Sequence, residues 1–248
     1  LLIDKNRKTT CKTRYMSEGQ QLFRTDDETP NILDKTLKEK IFKYFLLFIK
    51  QTDIIIFSDY GKGVFLDNLF CQKLIKAALK KKKKIIVDPK GNHFEKYKGS
   101  FFITPNTKEA FKATKINPIN NNLTEKCGKI IINNEWSDNV LLTRGANGLS
   151  IIQANKNEHI KSNTEEIFDV TGAGDTVIAL FSAAIAAENN YIDSAHFANI
   201  GASIVVKKSG TAALTSAELI KSISSKNLIK ILNKNNIKST INKWRNDN

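Results

Sequence analysis

Cysteine is scarce. Only Cys11, Cys71 and Cys127 occur, odd in number and far apart along the chain. No C-x-x-C pair exists, which excludes a zinc ribbon and a disulfide framework and leaves thiols suited to a reducing cytosol. Long apolar runs are also missing. The longest mainly apolar stretch, 177–187, is well short of the ~20 residues a membrane span needs, so no membrane partner is expected. The start, Leu1-Leu2-Ile3-Asp4-Lys5, turns polar at once, unlike a secretory leader, and the expected location is cytoplasmic. It also begins without Met, as a fragment would. Two common phosphate-binding signatures, G-x-x-x-x-G-K-[ST] and G-x-G-x-x-G, are absent, and so is any internal repeat.

Charge, in contrast, is abundant and one-sided. Lys and Arg number 39 against 25 Asp and Glu, a formal net charge of +14 in 248 residues. A basic balance fits nucleic acid, membrane surface or anionic metabolites. The chain is crowded with Lys, Asn and Ile, as translated A/T-rich DNA is, and the run Lys80–Lys84 reads as a solvated helix end. No aromatic-interleaved basic motif accompanies the charge, so no nucleic acid partner is expected. Hydrophobic residues make up 41%, enough for a substantial core.

Residues 10–24 read as a hairpin turning near Ser17-Glu18-Gly19, and 31–50 as an amphipathic helix. Short apolar runs follow at 53–57, 84–87, 101–103 and 139–142, alternating with helical patterns at 67–82 and 122–136. Fully apolar strands separated by helices predict an α/β fold with a mostly parallel sheet covered on both faces. Ligands bind beyond the carboxyl ends of such strands, so the turns at 58–63, 88–92, 104–109 and 143–148 form the predicted rim of the site. Segments 149–153 and 158–161 suit an antiparallel pair at the sheet edge, and helices are predicted at 176–188, 191–207 and 216–224.

The sharpest motif is Asp169-Val170-Thr171-Gly172-Ala173-Gly174-Asp175-Thr176, directly before a helix rich in small residues. Two glycines permit backbone conformations closed to other residues and leave amides free at a helix N-terminus, where anions bind. Asp175 follows and is placed to accept the proton of an attacking hydroxyl, or to orient it. Helix-end electrostatics favour its ionised form, which makes it a weak base and proton transfer late. Taken alone, the motif is equally a Gly-rich turn with an Asp cap.

This octapeptide resembles the signature of the ribokinase/PfkB carbohydrate kinases. The resemblance implies a ribokinase-like three-layer α/β/α sandwich, with Gly172, Ala173 and Gly174 as the anion hole and Asp175 as catalytic base. Asn106-Thr107-Lys108-Glu109 resembles the family's N-x-x-E motif, which acts on Mg²⁺ and the ATP phosphates through water; as a bare pattern it is also a helix start. Thr143, Gly145 and Gly148 match its nucleotide-side turn, Asn199 falls where the adenine pocket is lined, and Asp169 where many members place a monovalent cation such as K⁺. The implied cofactors are ATP and Mg²⁺, with K⁺ as a further one. Dimers are common in the family, so a homodimer is compatible.

A closer likeness is carried by Ser58-Asp59-Tyr60-Gly61-Lys62-Gly63, Asp88-Pro89-Lys90-Gly91-Asn92 and Phe94-Glu95-Lys96-Tyr97-Lys98-Gly99. Gln20-Gln21-Leu22-Phe23-Arg24 and Gly210-Thr211 agree with it. This succession resembles the kinase half of the bifunctional heptose enzymes of Gram-negative bacteria, which phosphorylate D-glycero-β-D-manno-heptose 7-phosphate at O1 on the way to ADP-heptose for lipopolysaccharide. It makes Asp59, Lys62 and Lys90 candidate substrate residues, the two lysines being equally readable as plain surface charges. Two departures stand out. The family's opening strands, its sugar-holding Gly-Gly motif and most of the lid are not found. Nor is an adenylyltransferase H-x-G-H among His93, His159 and His196. The expected organisation is a truncated kinase domain over 1–224 and a linker remnant over 225–248. Another sugar or nucleoside as acceptor, or an inactive ATP-binding fragment, remain alternatives.

Overall fold

Apolar strands of four to seven residues make the frame. The computed structural model describes residues 2–17, 20–162, 168–208, 210 and 212–231. Strands β3 (Ile54–Ser58), β4 (Lys84–Asp88), β5 (Ser100–Ile103), β6 (Ser137–Thr143), β7 (Leu149–Ile152) and β8 (Asn157–Ile160) lie side by side in chain order. Pairing from β3 through β6 is parallel, in registers that set Phe57 beside Val87 and Ile103 beside both Val87 and Val140. Strands β7 and β8 sit at the edge, as the sequence pattern predicts.

Because side chains alternate along a strand, each strand serves two faces. Phe57, Ile85, Val87, Ile103, Val140 and Leu142 share one core cluster with Cys71, Leu74 and Ile75 of helix α2 (Asn68–Lys80) and Cys127 and Ile131 of helix α4 (Asn121–Asn133). On the alternate positions Ile86, Phe102, Leu141 and Ile151 are buried too, which is why these strands read as unbroken apolar runs. Burial also pushes the Cys71 thiol up to about 12, so it packs as a small apolar group rather than reacting.

Before the sheet comes the hairpin of β1 (Cys11–Ser17) and β2 (Gln20–Asp27), antiparallel, with a register shift after Tyr15. Its predicted turn at Glu18 and Gly19 lies outside the described residues. A two-stranded ribbon is marginal alone. Here the Tyr15 and Phe23 rings stack at 4.2 Å, and beyond the strands Arg7 donates to the carbonyls of Lys62 and Thr29. Helix α1 (Lys35–Phe48) follows, four residues shorter at its start than the periodicity suggests, because Asp34 caps it through the amide of Leu37.

Two compact units divide the chain: Leu1–Arg144 with Ser150–His159, and Gly145–Leu149 with Ile160–Asn248. The second holds helices α5 (Ala173–Ala186), α6 (Tyr191–Val205) and α7 (Ser216–Ile231). A short helix α3 (Thr107–Thr114) starts at the Asn106 cap, as the helix-start reading of Asn106-Thr107-Lys108-Glu109 allows. Helix α7 runs past 224, where the sequence pattern ended it, from a start capped by Thr215 and Glu218.

Helix α4 approaches the sheet through Gly128, where an added Cβ would stand 2.7 Å from the Cβ of Ile152. Alanine is the better helix former, yet Gly128→Ala is expected to lower stability by about 1–3 kcal/mol through overpacking, seen as a reduced melting temperature. Combined with Ile152→Ala, it should cost less than the sum of the two single changes.

Candidate active site

The strand ends of the first unit carry a buried polar network. Asp59, directly after β3, is 4% exposed. Its Oδ2 accepts from Lys96 Nζ at 2.6 Å and from the Tyr97 hydroxyl at 2.6 Å, and its Oδ1 accepts from the Gly61 amide at 2.6 Å. Lys96 is buried as well and donates to the Phe65 carbonyl at 3.1 Å. A buried charge is tolerated when paired and hydrogen-bonded, and this pair is both. Asp59, a candidate substrate residue from sequence, has both oxygens engaged inside the protein, where they shape the turn. Gly61 takes φ +65°, a left-handed conformation that favours glycine. Lys62, next in line, pairs with Glu28.

One strand further on, the Lys90 amide donates to the Tyr97 hydroxyl at 3.2 Å, and the Lys90 stem passes alongside Gly61. Its ammonium reaches Glu109 Oε1 at 3.3 Å. Glu109 is buried and forms a capping box with Asn106: Asn106 Oδ1 accepts from the Glu109 amide at 2.9 Å, and Glu109 Oε2 accepts from the Asn106 amide at 3.1 Å. Thr107 and Lys108 occupy the first turn between them. Thr143, ending β6, bridges to Asn106 and donates its amide to the Pro105 carbonyl at 2.9 Å. So Lys90, Asn106, Glu109 and Thr143 meet at the carboxyl ends of β4, β5 and β6. Among the described residues no group of three or more His, Cys, Asp and Glu is placed to hold a metal ion. With Glu109 tied to a backbone amide and to Lys90, this set suits a cation held through water rather than by direct ligation.

In the second unit the signature opens α5. Gly172 is its N-cap at φ +82°, and an added side chain there would meet open space, so the backbone conformation alone calls for glycine. Every other described α-helix begins with an Asp, Asn or Thr side chain accepting from first-turn amides: Asp34, Asp67, Asn106, Asn120, Asn190 and Thr215. Gly172 has no side chain to do this. Ala173, Gly174 and Asp175 form the first turn, with Gly174 and Asp175 exposed. Such a start presents positive helix-end potential beside a carboxylate, the arrangement a phosphoryl group and an attacking hydroxyl require.

Asp169 braces that loop. Its Oδ1 accepts from the Thr171 amide at 2.8 Å and its Oδ2 from the Gly210 amide at 3.1 Å. Asn199, expected from sequence near an adenine pocket, is buried and donates its amide to the Lys161 carbonyl at 2.8 Å. Gly145 and Gly148 form a turn closed by a 3.0 Å hydrogen bond, and Gly148 has φ +84° with the Ile160 carbonyl where a side chain would go.

Sequence reasoning missed two clusters. Lys96 and Tyr97 carry no chemistry in one dimension, because their partner Asp59 lies 37 and 38 residues away. The other joins His159 to Glu125 at 2.9 Å and to Ser150 at 2.8 Å, with Arg144 donating to Asn121 at 2.7 Å and to Ser150 at 3.0 Å. The hydrogen bond from His159 holds the Glu125 carboxyl below its ordinary range. Ser150 is fully buried within β7, so this arrangement fastens the β6 end to its neighbours and offers no nucleophile.

Comparison with known proteins fits this geometry. The sequence pattern of the "pfkB family carbohydrate kinase" matches residues 1–218. The chain is 36% identical to the "Bifunctional protein HldE" of Helicobacter hepaticus over 223 residues, covering 90% of this chain and 46% of that protein. It is 38% identical to the protein of the same name from Aliarcobacter butzleri over 234 residues, covering 91% and 47%. The chain thus spans about half the length of the curated relatives it matches. Among solved structures, Arabidopsis thaliana ribokinase, complexed with ribose and ATP, has a TM-score of 0.71 at 17% identity, over 88% of this chain and 70% of that one. Escherichia coli phosphofructokinase-2, in complex with potassium, has 0.69 at 16%, over 82% and 66%. These neighbours show the fold: ribokinase-like, three-layer α/β/α, with a mostly parallel central sheet. By the extent of the family match and the geometry it falls upon, the chain belongs to the pfkB family of carbohydrate kinases.

Proposed function

We propose that this chain transfers the γ-phosphoryl group of ATP to O1 of D-glycero-β-D-manno-heptose 7-phosphate, as the kinase portion of a pathway leading to ADP-heptose and lipopolysaccharide. The observation that carries phosphoryl transfer is the start of α5. Gly172, without a capping side chain, leaves the first turn to an anion, and an exposed Asp175 stands in that turn. The heptose assignment rests on the motifs around Asp59, Lys62 and Lys90 and on 34–38% identity to proteins named HldE.

In this reading Asp175 accepts the proton of the attacking hydroxyl late in the step, after bonding to phosphorus has begun. The amides of Gly172, Ala173 and Gly174 hold the charge spread over the transferred group. Asn106 and Glu109 hold Mg²⁺ through its water shell, and Lys90 beside them adds a positive charge for the phosphates. Bound Mg²⁺ supplies neutralisation of phosphate charge. Asp169, already braced by two amides, is the proposed neighbour of a monovalent cation.

Two results are expected. Asp175→Asn should lower kcat by about 10²–10⁴-fold in a coupled ADP-release assay with heptose 7-phosphate, while ATP binding by calorimetry stays within a few-fold. An equally active variant sinks the role of Asp175. Glu109→Gln removes the charge but keeps the shape of the capping box, so the Mg²⁺ concentration for half-maximal rate should rise about tenfold, with melting temperature nearly unchanged. An unaltered Mg²⁺ dependence contradicts the assignment of Glu109.

A further inference from the structure

We infer that Tyr97 is a positioning residue for Lys90, through a hydroxyl that bridges two strand-end loops inside the core. This rests on the reading of the chain as an ATP-dependent kinase.

Three observations converge. First, the Tyr97 side chain is fully buried, and its hydroxyl makes two bonds at once: it donates to Asp59 Oδ2 at 2.6 Å and accepts from the Lys90 amide at 3.2 Å. The loop after β3 and the loop after β4 are therefore tied to one atom. Second, Asp59 does not need Tyr97 to remain paired. Lys96 Nζ and the Gly61 amide still reach its two oxygens, each at 2.6 Å. The hydroxyl is thus surplus to neutralising the buried carboxylate, and what it adds is the link to Lys90. Third, Lys90 is weakly held elsewhere. Its side chain is 57% exposed and its ammonium stands 3.3 Å from Glu109, a pairing that solvent screens. Its backbone is fixed from within while its head is free to turn from Glu109 to a phosphate. Burial above all, and then Asp59, pushes the Tyr97 hydroxyl above its ordinary range, which favours its role as a neutral donor.

The ring itself is core, in contact distance of Phe94 at 6.1 Å between centroids. Tyr97→Phe keeps that packing and removes only the bridge. Lys90 then loses the acceptor for its amide, its loop is no longer set against the Asp59 turn, and the ammonium is presented to the phosphates with less precision. In phosphoryl transfer such misplacement is felt strongly, because catalysis is positioning and electrostatics.

A double-mutant cycle tests this. Tyr97→Phe, Lys90→Met and the pair are measured for kcat/KM with ATP and heptose 7-phosphate and, separately, for affinity toward a fluorescent ATP analogue. Tyr97→Phe is expected to cost about tenfold in kcat/KM in the parent and less than twofold in the Lys90→Met background, because the hydroxyl acts through Lys90. Equal losses in both backgrounds would mean a general structural role and overturn the inference. A parent that binds the nucleotide but turns over no heptose phosphate leaves the cycle readable on nucleotide affinity, with the same non-additivity expected. A parent that does not bind the nucleotide at all overturns the kinase reading and this inference with it.

Discussion

An α-helix begins with amides that have no partner within it, and something must accept from them. This chain meets that constraint in two ways. At six helices an Asp, Asn or Thr side chain does so. At α5 the cap is Gly172, which supplies the left-handed turn and nothing else. The difference separates helices whose starts are finished by the chain from one whose start suits an anionic ligand. Asp175 lies within that turn, exposed, where the proposed phosphoryl transfer needs a carboxylate.

In the first unit the same logic runs through side chains. A parallel sheet collects its loops at the carboxyl ends of the strands, and those loops must be held if they are to hold a ligand. Asp59 does this from below. Placed in the core with Lys96 and Tyr97, it fixes Gly61 and, through the Tyr97 hydroxyl, Lys90. The Asn106–Glu109 box performs the corresponding task one strand along, and Lys90 joins the two arrangements.

Much of this was legible in the sequence. The apolar runs became β3 through β6, since the central strands are buried on both faces along their middle positions. The Gly-Ala-Gly-Asp motif was legible because glycine conformations leave a one-dimensional trace. Helix α3 was legible only at its start, because Asn106-Thr107-Lys108-Glu109 signals a cap while the eight residues Thr107–Thr114 leave little periodicity to read. The burial of Asp59 was not legible, because its partners Lys96 and Tyr97 lie 37 and 38 residues away and only the fold brings them to it. Gly148 was read as part of a nucleotide turn, whereas the nearby Ile160 carbonyl supplies a packing reason for it as well.

Acceptor preference tests the central claim most directly. With ATP held saturating, kcat/KM would be measured for D-glycero-β-D-manno-heptose 7-phosphate beside ribose, fructose and fructose 6-phosphate, and the product position fixed by phosphorus NMR. The account predicts that heptose 7-phosphate leads by at least about a hundredfold, as a site built around an anionic sugar should discriminate, and that the new phosphate is on O1. A faster reaction with another acceptor, or phosphate at another carbon, would contradict it.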